Sequence, residues 1–561
     1  MKTVDICIIG SGAGGSPIAY TLAKAGFSVV VLEKGPSYDE SDFKKDEIAV
    51  GRRSLYTPEL KDEYHIIETY NDEGDIVREN GKEVGWSFWN GSMVGGSSNL
   101  MSGYFHRMKP NDFKLRTVFG DIEGANVVDW PIDYETLEPY YAKVESLVGV
   151  SGKMVDHPYR EPRSTPDYPF SPTWEHPIAS WFDESCKALG FYAMPTPRAV
   201  LPYDALNRRG CSYSNLCGSY GCATGAKGNA KAALLDAAVQ TGNCSIISEA
   251  FVYKIESASK NSVSHISYYD IKKQSHHVKA TIYILAAQAI ESSRLLLNSK
   301  SDFFPNGLAN NSGLVGKNLI FSAGGSGEGR INFEDISKQR QENLLLRGAF
   351  VNRSLQDWYE YDIKGVSYKG GTIDFLFEHA NAVPRALAEV YDDNGDLVWG
   401  KVLASKLHHA FEKSRVFTFE VFNDWLPTDK CYVSVDGDDV DKWGEDVATI
   451  HLYGHPQDLI VGQHLADKAV AVLTDLGAKD ISVGISDSPP PNLVAGGCRF
   501  GNDPKTSVLD ANCCAHEVHN LYVSDASFMP TGGSVPYTWT IYANAFRVAD
   551  AILQRLRSQN V

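Results

Sequence analysis

Short apolar runs and one helical pattern alternate over the first 35 residues. A mainly apolar run at residues 4–9, interrupted by Asp5, ends in a glycine-rich turn, and a second apolar run covers residues 29–32. Between them, over residues 16–25, apolar side chains recur every three or four positions. A short apolar run bounded by turns is typical of a buried strand, whereas a spacing of three and four is typical of an amphipathic helix. The pattern therefore predicts a strand, a tight turn, a helix and a second, parallel strand.

Similar signals continue along the rest of the chain. They predict a helix over 228–241, short strands near 244–256 and 263–271, a buried strand over 281–287 leading into a helix, a helix over 456–477, a strand over 520–524 and a helix over about 538–557. Residues 39–90 are polar and predict irregular structure with a turn at 70–75. Residues 325–455 alternate between apolar and polar positions, with few helical stretches before 382–411. This alternation predicts an antiparallel sheet with attached helices, which we interpret as a substrate-binding domain.

Length and composition limit the class of protein. A chain of 561 residues is too long for one hydrophobic core and should divide into two or more domains. A hydrophobic content of 43% with 22% charged residues is typical of a globular protein. The formal net charge of −17 argues against a nucleic-acid partner, because binding a polyanion requires a basic face.

The termini and cysteines bear on the compartment. We expect no transmembrane segment, because no run of 18 or more apolar residues occurs. The first strand begins within a few residues of Met1, so we expect no signal peptide and a cytoplasmic location. Export as the cargo of a partner subunit stays open. Ten cysteines without a signal peptide indicate reduced thiols rather than a disulfide framework.

The glycine-rich turn of the first unit has the residues that a dinucleotide requires. Gly10 permits the tight turn, Gly12 lets the backbone approach a pyrophosphate, and Gly15 lets the helix pack close to the strand. The helix start presents unpaired N–H groups to the phosphates. Glu33 ends the second strand, where a carboxylate accepts hydrogen bonds from a ribose. A second loop rich in small residues, over 89–99, is suited to close approach of the backbone to a ligand.

Several motifs together resemble one family, and the likeness spans nearly the whole chain. The motifs are Gly10-Ser-Gly-Ala-Gly-Gly15 with Glu33, Val94-Gly-Gly-Ser-Ser98, Ile284-Leu-Ala-Ala-Gln-Ala-Ile-Glu-Ser-Ser-Arg-Leu295, Gly497-Cys-Arg-Phe-Gly-Asn-Asp-Pro-Lys-Thr-Ser507 and Asn520-Leu-Tyr-Val-Ser-Asp-Ala-Ser-Phe-Met-Pro-Thr-Gly-Gly-Ser534. The chain resembles the glucose–methanol–choline (GMC) oxidoreductases, which bind FAD. Within that family it is most similar to the catalytic subunits of bacterial FAD-dependent sugar dehydrogenases, for instance over 108–113 and 130–141.

The resemblance implies an α/β fold, α+β overall, in which a Rossmann-type FAD-binding domain carries an inserted mixed or antiparallel-sheet substrate domain. The FAD-binding domain would comprise residues 1–110, 205–325 and 485–561, and the substrate domain residues 111–204 and 326–484. A plain Rossmann enzyme that uses NAD is the alternative. It gives the C-terminal segment no reason to return to the nucleotide fold, so we favour FAD.

The resemblance also implies a set of cofactor-binding residues. They are Gly10, Gly12, Ala13 and Gly15 at the pyrophosphate, Glu33 with its neighbour Lys34 at the ribose, Gly95, Ser97, Ser98 and Asn99 at the flavin, the backbone of Val252 at the adenine, and Asp525 with Ala526 near the ribityl chain or phosphates. Some sugar oxidases attach the flavin through a histidine just after the second loop. Leu100 stands at that place here, so we expect non-covalent FAD.

The family's catalytic pair is absent from the positions where it is expected. A histidine normally takes the hydroxyl proton, with a second histidine or an asparagine as its partner. Counting without gaps puts these positions at Leu493 and Pro536, and neither residue can exchange a proton. Tyr537 is the candidate base on position alone, and Asn492 could orient a substrate hydroxyl. Three histidines of the predicted substrate domain are further candidates, namely His379, His408 and His409.

Three interpretations follow from this departure. The one we favour is an FAD-dependent enzyme that removes hydride from a secondary alcohol of a sugar, glycoside or cyclic polyol with another side chain as base. The second is a flavin-dependent lyase or isomerase acting on a glycoside-like substrate through elimination or transient oxidation. The third is a non-catalytic flavoprotein. Fold-level analogy supplies much of the weight for the first.

Three cysteines lie within twelve residues on a glycine-bearing loop, at Cys211, Cys217 and Cys222. Clustered thiolates can ligate an iron–sulfur centre. Related membrane-associated sugar dehydrogenases carry a cluster at the matching place, which would imply electron transfer to a cytochrome or through a small partner subunit. The spacing departs from theirs, because the second gap has four residues instead of three. The alternative, which we favour, is three thiols that pack a loop near the flavin.

Overall fold

The structure is a computed structural model and describes residues 2–43, 64–71, 73–81, 83, 91–392, 394–486 and 493–559. Its strands, in chain order, are β1 (Lys2–Ile9), β2 (Val29–Leu32), β3 (Ile66–Tyr70), β4 (Ile76–Asn80), β5 (Met194–Pro195), β6 (Cys244–Ile247), β7 (Phe251–Ser259), β8 (Ser262–Tyr269), β9 (Ser275–Leu285), β10 (Leu319–Ile320), β11 (Ser322–Asn332), β12 (Val351–Leu355), β13 (Glu360–Ile363), β14 (Val366–Lys369), β15 (Gly371–Phe377), β16 (Ser414–Asp424), β17 (Tyr432–Ser434), β18 (Thr449–His451), β19 (Lys479–Ile485), β20 (Ala495–Gly496) and β21 (Leu521–Val523). Its α-helices are α1 (Ser16–Lys24), α2 (Leu115–Phe119), α3 (Tyr134–Val144), α4 (Ile178–Leu189), α5 (Asp236–Gln240), α6 (Ala289–Asn298), α7 (Lys338–Leu344), α8 (Ala382–Ala388), α9 (Gly400–His408), α10 (Pro456–Asp475) and α11 (Thr538–Gln559).

A parallel sheet in the strand order β6-β2-β1-β9 forms the nucleotide-binding half of the molecule, with β21 added alongside β9. β8 pairs in antiparallel orientation with the first residues of β9, and β7 pairs in the same way with β8, so these two strands extend the sheet past β9. The apolar residues at 6–9 of β1 and 29–32 of β2 are buried on both faces of the sheet, which explains why each forms an uninterrupted apolar run. The predicted strand–turn–helix–strand unit is confirmed as β1, α1 and β2.

Distant parts of the chain complete this half. β9 and β21 pair in parallel through Tyr283 and Leu521, although 238 residues separate them, and α11 packs against α1 and α3. The C-terminal segment thus returns to the first unit. The α/β fold with a Rossmann-type sheet is confirmed.

A second, antiparallel sheet in the order β19-β11-β16-β15-β12-β5 forms the other half. Successive residues of a strand point to opposite faces. On β16, Phe417, Phe419 and Val421 pack into a core with residues of α4 and α10. Glu420 and Phe422 point the other way, toward the nucleotide-binding half, where they line a cavity. This alternation brings side chains of the second sheet to the site, while the domain boundaries given above stay a prediction.

The prediction of irregular structure over 39–90 is wrong for part of that segment. β3 and β4 form a hairpin around the turn at 71–75, and β3 pairs in parallel with β18, more than 380 positions later. The residues of β4 are mostly exposed, so they carry no alternating apolar pattern. The pairing of β3 with β18 cannot be predicted from the residues near β3 either, because β18 is so distant in the sequence.

A buried ion network fixes the chain segment that leads away from the second glycine loop. Arg107 donates to Glu145 at 2.6 Å and to Glu138 at 2.8 Å, and Arg163 donates to the same Glu145 at 2.6 Å. The Arg107 and Glu145 side chains are almost completely buried. The network therefore ties Arg107 to α3 through Glu138 and to the turn that follows α3 through Glu145.

Across the part of the chain that the structure describes, no helix combines the length and apolar character needed to cross a lipid bilayer.

Candidate active site

A cavity of about 370 Å³ lies between the two sheets and joins the predicted nucleotide site to the second sheet. Its nucleotide end is lined by the residues that follow β1, β2 and β9, namely Gly10 to Gly14, Glu33, Lys34 and Ala286 to Ala289. Its other end is lined by Tyr104, Phe350, His379, Glu420, Phe422, Leu493 and Pro536. Ligands of open α/β sheets bind at the carboxyl ends of the strands, where the first group lies.

The first loop meets the steric demands read from its glycines. A Cβ on Gly10, whose φ is +95°, would lie 2.2 Å from the carbonyl oxygen of Ala286. One on Gly15 would lie 2.2 Å from the Gly10 carbonyl oxygen. Gly12 is different, because a Cβ there would meet nothing nearer than Gly96 Cα at 4.0 Å. Gly10 and Gly15 are therefore required by packing, whereas Gly12 keeps the cavity wall open.

The start of α1 is electrostatically suited to phosphate. No side chain caps α1, and no acidic residue lies in its first turn. The unpaired N–H groups and the helix dipole together make such a helix start an anion site. Ala13, in the turn before α1, lines the cavity.

Glu33 is held by the first loop with accepting capacity to spare. Its Oε2 accepts from the Ser11 N–H at 3.1 Å and the Ser11 hydroxyl at 2.5 Å, and its Oε1 accepts from the Gly35 N–H at 3.0 Å. Burial raises the pKa of the Glu33 carboxyl, although these donors oppose the shift. A carboxylate has about four lone-pair positions. Three are used here, so one remains for a ligand hydroxyl.

Lys34 and Glu291 extend the wall next to Glu33. Glu291 lies 4.0 Å from Lys34, 3.0 Å from His65 and 3.3 Å from Arg294. Burial opposes ionisation of Glu291, but these three basic groups hold its pKa well below the ordinary value. Val252, at the start of β7, lines the same end of the cavity. Sequence reasoning did not single out Glu291 as a site residue.

Of the residues predicted to bind the flavin in the second loop, two line the cavity and two lie behind its wall. Ser97 and Ser98 line the cavity within a 3₁₀ turn, Gly96–Leu100. Gly95 and Asn99 lie behind that wall. The Asn99 amide donates to the Val94 and Gly96 carbonyls at 2.9 and 3.1 Å. A Cβ on Gly95, whose φ is +95°, would lie 2.7 Å from Asn99 Nδ2. These two residues shape the loop.

Asp525 and Ala526 both line the cavity near the start of α6. The Asp525 carboxylate accepts from the Gln288 N–H at 3.2 Å, the Ser292 hydroxyl at 2.5 Å and the Ser527 N–H at 2.9 Å. Burial raises its pKa. Asp525 therefore binds the loop after β21 to the loop after β9 and holds both at the cavity.

At the far end, Leu493 and Pro536 line the cavity together, and neither side chain can exchange a proton. Tyr537 is wrong as the candidate base. Its ring is buried away from the cavity, its hydroxyl donates to the Phe321 carbonyl, and burial together with nearby carboxylates raises its pKa well above the ordinary value. Asn492 lies outside the described residues.

Sequence reasoning missed the polar groups of the second sheet. Glu420 lines the cavity and accepts a short hydrogen bond from the Tyr104 hydroxyl. Burial raises the pKa of the Glu420 carboxyl to about 7. A signal was present in the sequence, since one acid interrupts the apolar run Val416 to Phe422. A single interrupted run does not show which cavity the acid faces.

The structure places the three candidate histidines in two different surroundings. His379 lines the cavity and stacks on Phe350, with ring centroids 3.9 Å apart and an interplanar angle of 4°. His408 and His409 are exposed at the end of α9.

The three loop cysteines line a separate small cavity of about 40 Å³. Burial raises the pKa of the Cys211 thiol. Burial acts in the same direction on Cys222, but the Lys227 ammonium and neighbouring donors hold that pKa below its ordinary value. Nowhere in the described ranges do three or more His, Cys, Asp or Glu side chains group as metal ligands would. The cysteine loop does not fit an iron–sulfur centre in this arrangement.

The nucleotide end fits an extended dinucleotide better than a compact ligand. It offers an open wall at Gly12, an uncapped helix start and a carboxylate with a lone pair to spare, all at one cavity. The cavity then continues past the second loop to the second sheet. A two-part ligand with a reactive ring at the far end matches this shape.

Comparisons with known proteins agree with the geometry. Models of the GMC oxidoreductases match residues 66–321 and 427–545, and a model of NAD(P)-binding Rossmann-like domains matches residues 8–38. The chain is 28% identical to the fructose dehydrogenase large subunit of Gluconobacter japonicus, over 99% of this chain and 98% of the relative. It is also 28% identical to a 2-methyl-1,2-propanediol dehydrogenase of Mycolicibacterium austroafricanum, over 98% and 95%. Among solved structures, pyridoxine 4-oxidase from Mesorbium loti matches with a TM-score of 0.61 at 18% identity, covering 98% of this chain and 99% of that one.

Proposed function

The chain belongs to the GMC oxidoreductase family, FAD-dependent enzymes that oxidise CH–OH groups, and on that premise we propose a finer activity. The enzyme removes hydride from a secondary alcohol of a sugar, glycoside or cyclic polyol. FAD is held non-covalently in the groove that begins at the first glycine loop. Leu100, a buried residue that lines the cavity after the second loop, offers no group for covalent attachment.

One observation carries the proposal: the nucleotide groove opens directly into a pocket that mixes aromatic rings with hydrogen-bonding groups. Phe350 and Phe422 supply apolar surface, and Tyr104, His379 and Glu420 supply polar atoms. A sugar ring has the matching character, because its C–H face is apolar and its edge carries hydroxyls. The fructose dehydrogenase relative supports the same substrate class.

The residues of this chain have separate tasks in such a reaction. When bound, FAD supplies the hydride acceptor. The uncapped start of α1 and Gly12 would hold its pyrophosphate, and Glu33 a ribose hydroxyl. The apolar side chains of Leu493 and Pro536 exclude water from the reacting end of the cavity.

A partner that accepts electrons is part of the proposal. The fructose dehydrogenase relative is by name a large subunit, which supports a small partner subunit or a cytochrome here. A flavin-dependent lyase or isomerase is the second candidate. Apolar residues at both positions of the family's proton-exchanging pair favour it.

The test is anaerobic reduction of the purified holoenzyme by a panel of sugars, glycosides and cyclic polyols. Bleaching of the flavin absorbance by one class supports the dehydrogenase and identifies the substrate. Product formation with the flavin left oxidised favours the lyase or isomerase. If no compound bleaches the flavin and no product forms, both the dehydrogenase and the lyase or isomerase proposals are contradicted. Matched deoxy analogues, each lacking one hydroxyl, then locate the oxidised carbon.

A further inference from the structure

Glu420 lines the same cavity as Leu493 and Pro536, the two positions where the family's proton-exchanging pair is expected. It lies on β16, opposite Asp374 of β15 in the sheet register, and its side chain points to the cavity together with that of Phe422. Leu493 and Pro536 line the same cavity from the nucleotide-binding half. A carboxylate and the two positions expected for the catalytic pair therefore line one cavity from opposite halves of the molecule.

The hydrogen bonds around Glu420 leave it able to accept a proton. The Tyr104 hydroxyl donates to Oε2. Within the described ranges, no donor is bonded to Oε1. Asp374 is different, because it is completely buried and accepts from Ser354 and His106, the latter at 3.1 and 3.2 Å. Asp374 is thus held inside the sheet, while Glu420 keeps one oxygen for a ligand.

The electrostatic surroundings tune Glu420 for proton exchange near neutral pH. Burial raises the pKa to about 7, the Tyr104 hydrogen bond lowers it, and the Asp374 carboxylate raises it. From the strand on the other side, β11, the residue opposite Glu420 is Ser326, which does not titrate in this range. His379 lines the same cavity. A base is most effective when its pKa lies near the working pH.

Tyr104 is suited to position Glu420 rather than to exchange the proton itself. Burial and the nearby carboxylates of Glu420 and Asp374 raise the pKa of Tyr104 well above its ordinary value. Its hydroxyl therefore stays protonated and keeps donating to Glu420.

We propose that Glu420 is the general base of this enzyme, in place of the histidine that is absent at Leu493, and that Tyr104 is its positioning residue. The inference rests on the proposed function. In the step, the Glu420 carboxylate would take the substrate hydroxyl proton, bound oxidised FAD would supply the acceptor for the C–H electron pair as hydride, and the carbinol carbon would become a carbonyl. The proton on Glu420 returns to solvent before the next turnover.

The main test compares wild type with Glu420→Gln in anaerobic flavin reduction across about pH 5 to pH 9. Loss of the base should slow reduction by about 10²- to 10⁴-fold at neutral pH while FAD content stays at the wild-type level. The wild-type rate should fall as pH drops below about 7, because Glu420 becomes protonated, and this acid limb should be absent from the variant. Glu328→Gln, an exposed carboxylate on β11, is the matched control and should behave as wild type.

Two further measurements separate a base from a merely structural carboxylate. Infrared titration of the oxidised holoenzyme without substrate should show a protonated carboxyl band that is lost near pH 7 in wild type and is missing in Glu420→Gln. Tyr104→Phe should move the acid limb to higher pH, because the phenol stabilises the charged carboxylate.

The outcomes are distinguishable. If an alcohol reduces the wild-type flavin and Glu420→Gln keeps the rate or the acid limb, the base assignment is wrong and the proposed function stands. Absence of the titrating carboxyl band also contradicts the assignment. If no alcohol reduces the wild-type flavin, the proposed function fails and the base assignment fails with it.

Discussion

Replacing Gly12 by alanine should weaken FAD binding without harming the fold. The backbone of Gly12 lies outside the left-handed region, and the added Cβ would have no protein neighbour nearer than 4.0 Å. The apoprotein should therefore keep its stability or gain about 0.4–1 kcal/mol from the stiffer unfolded chain. The methyl group would instead occupy space at the open wall of the nucleotide groove.

The expected size of the effect follows from the cost of one methylene too many in a packed site. That cost is about 1–3 kcal/mol, which corresponds to about 5- to 150-fold weaker binding. Gly10→Ala should instead reduce the stability of the apoprotein. Its φ of +95° and the 2.2 Å contact with the Ala286 carbonyl oxygen should destabilise the apoprotein itself by about 2–5 kcal/mol.

The assay has two parts, thermal or denaturant unfolding of the apoprotein and titration of FAD into it, followed by flavin fluorescence. Gly484→Ala on β19, exposed and also open to a Cβ, is the control that should change neither quantity. Wild-type FAD affinity in Gly12→Ala would refute the placement of the pyrophosphate at this loop. So would a loss of apoprotein stability as large as that of Gly10→Ala.

Three further outcomes are expected. Tyr537→Phe should lower the free energy of unfolding by about 0.5–1.5 kcal/mol, because the hydrogen bond to the Phe321 carbonyl is lost. The pH profile of flavin reduction should stay unchanged, and a shifted acid limb would contradict a purely structural role for Tyr537. Glu145→Gln should lower the unfolding free energy by about 3–5 kcal/mol, because it leaves two buried guanidinium groups without their shared carboxylate. A decrease of less than about 1 kcal/mol in denaturant unfolding would argue against the network. Iodoacetamide, followed by peptide mass spectrometry, should label Cys222 before Cys211, because the pKa of Cys222 is lowered and that of Cys211 is raised.

Prediction from sequence succeeded where the structure depends on neighbouring residues. The strand before Gly10, the helix after the turn and the strand that ends before Glu33 lie within one stretch of about 30 residues, so these elements could be predicted together. It failed for the β3–β4 hairpin, whose pairing partner is more than 380 positions away. It also failed for Tyr537, because adjacency to Pro536 in the chain did not carry the side chain into the cavity.

The sequence by itself determined the family and the strand–turn–helix–strand unit at the N-terminal end of the Rossmann-type sheet. Only the tertiary structure decided that Glu420 lines the same cavity as Leu493 and Pro536. Tyr104 and Glu420 are 316 positions apart and meet because the second sheet packs across the nucleotide groove. Burial then sets the protonation of Glu420, and burial is a property of the packed molecule that no local pattern contains.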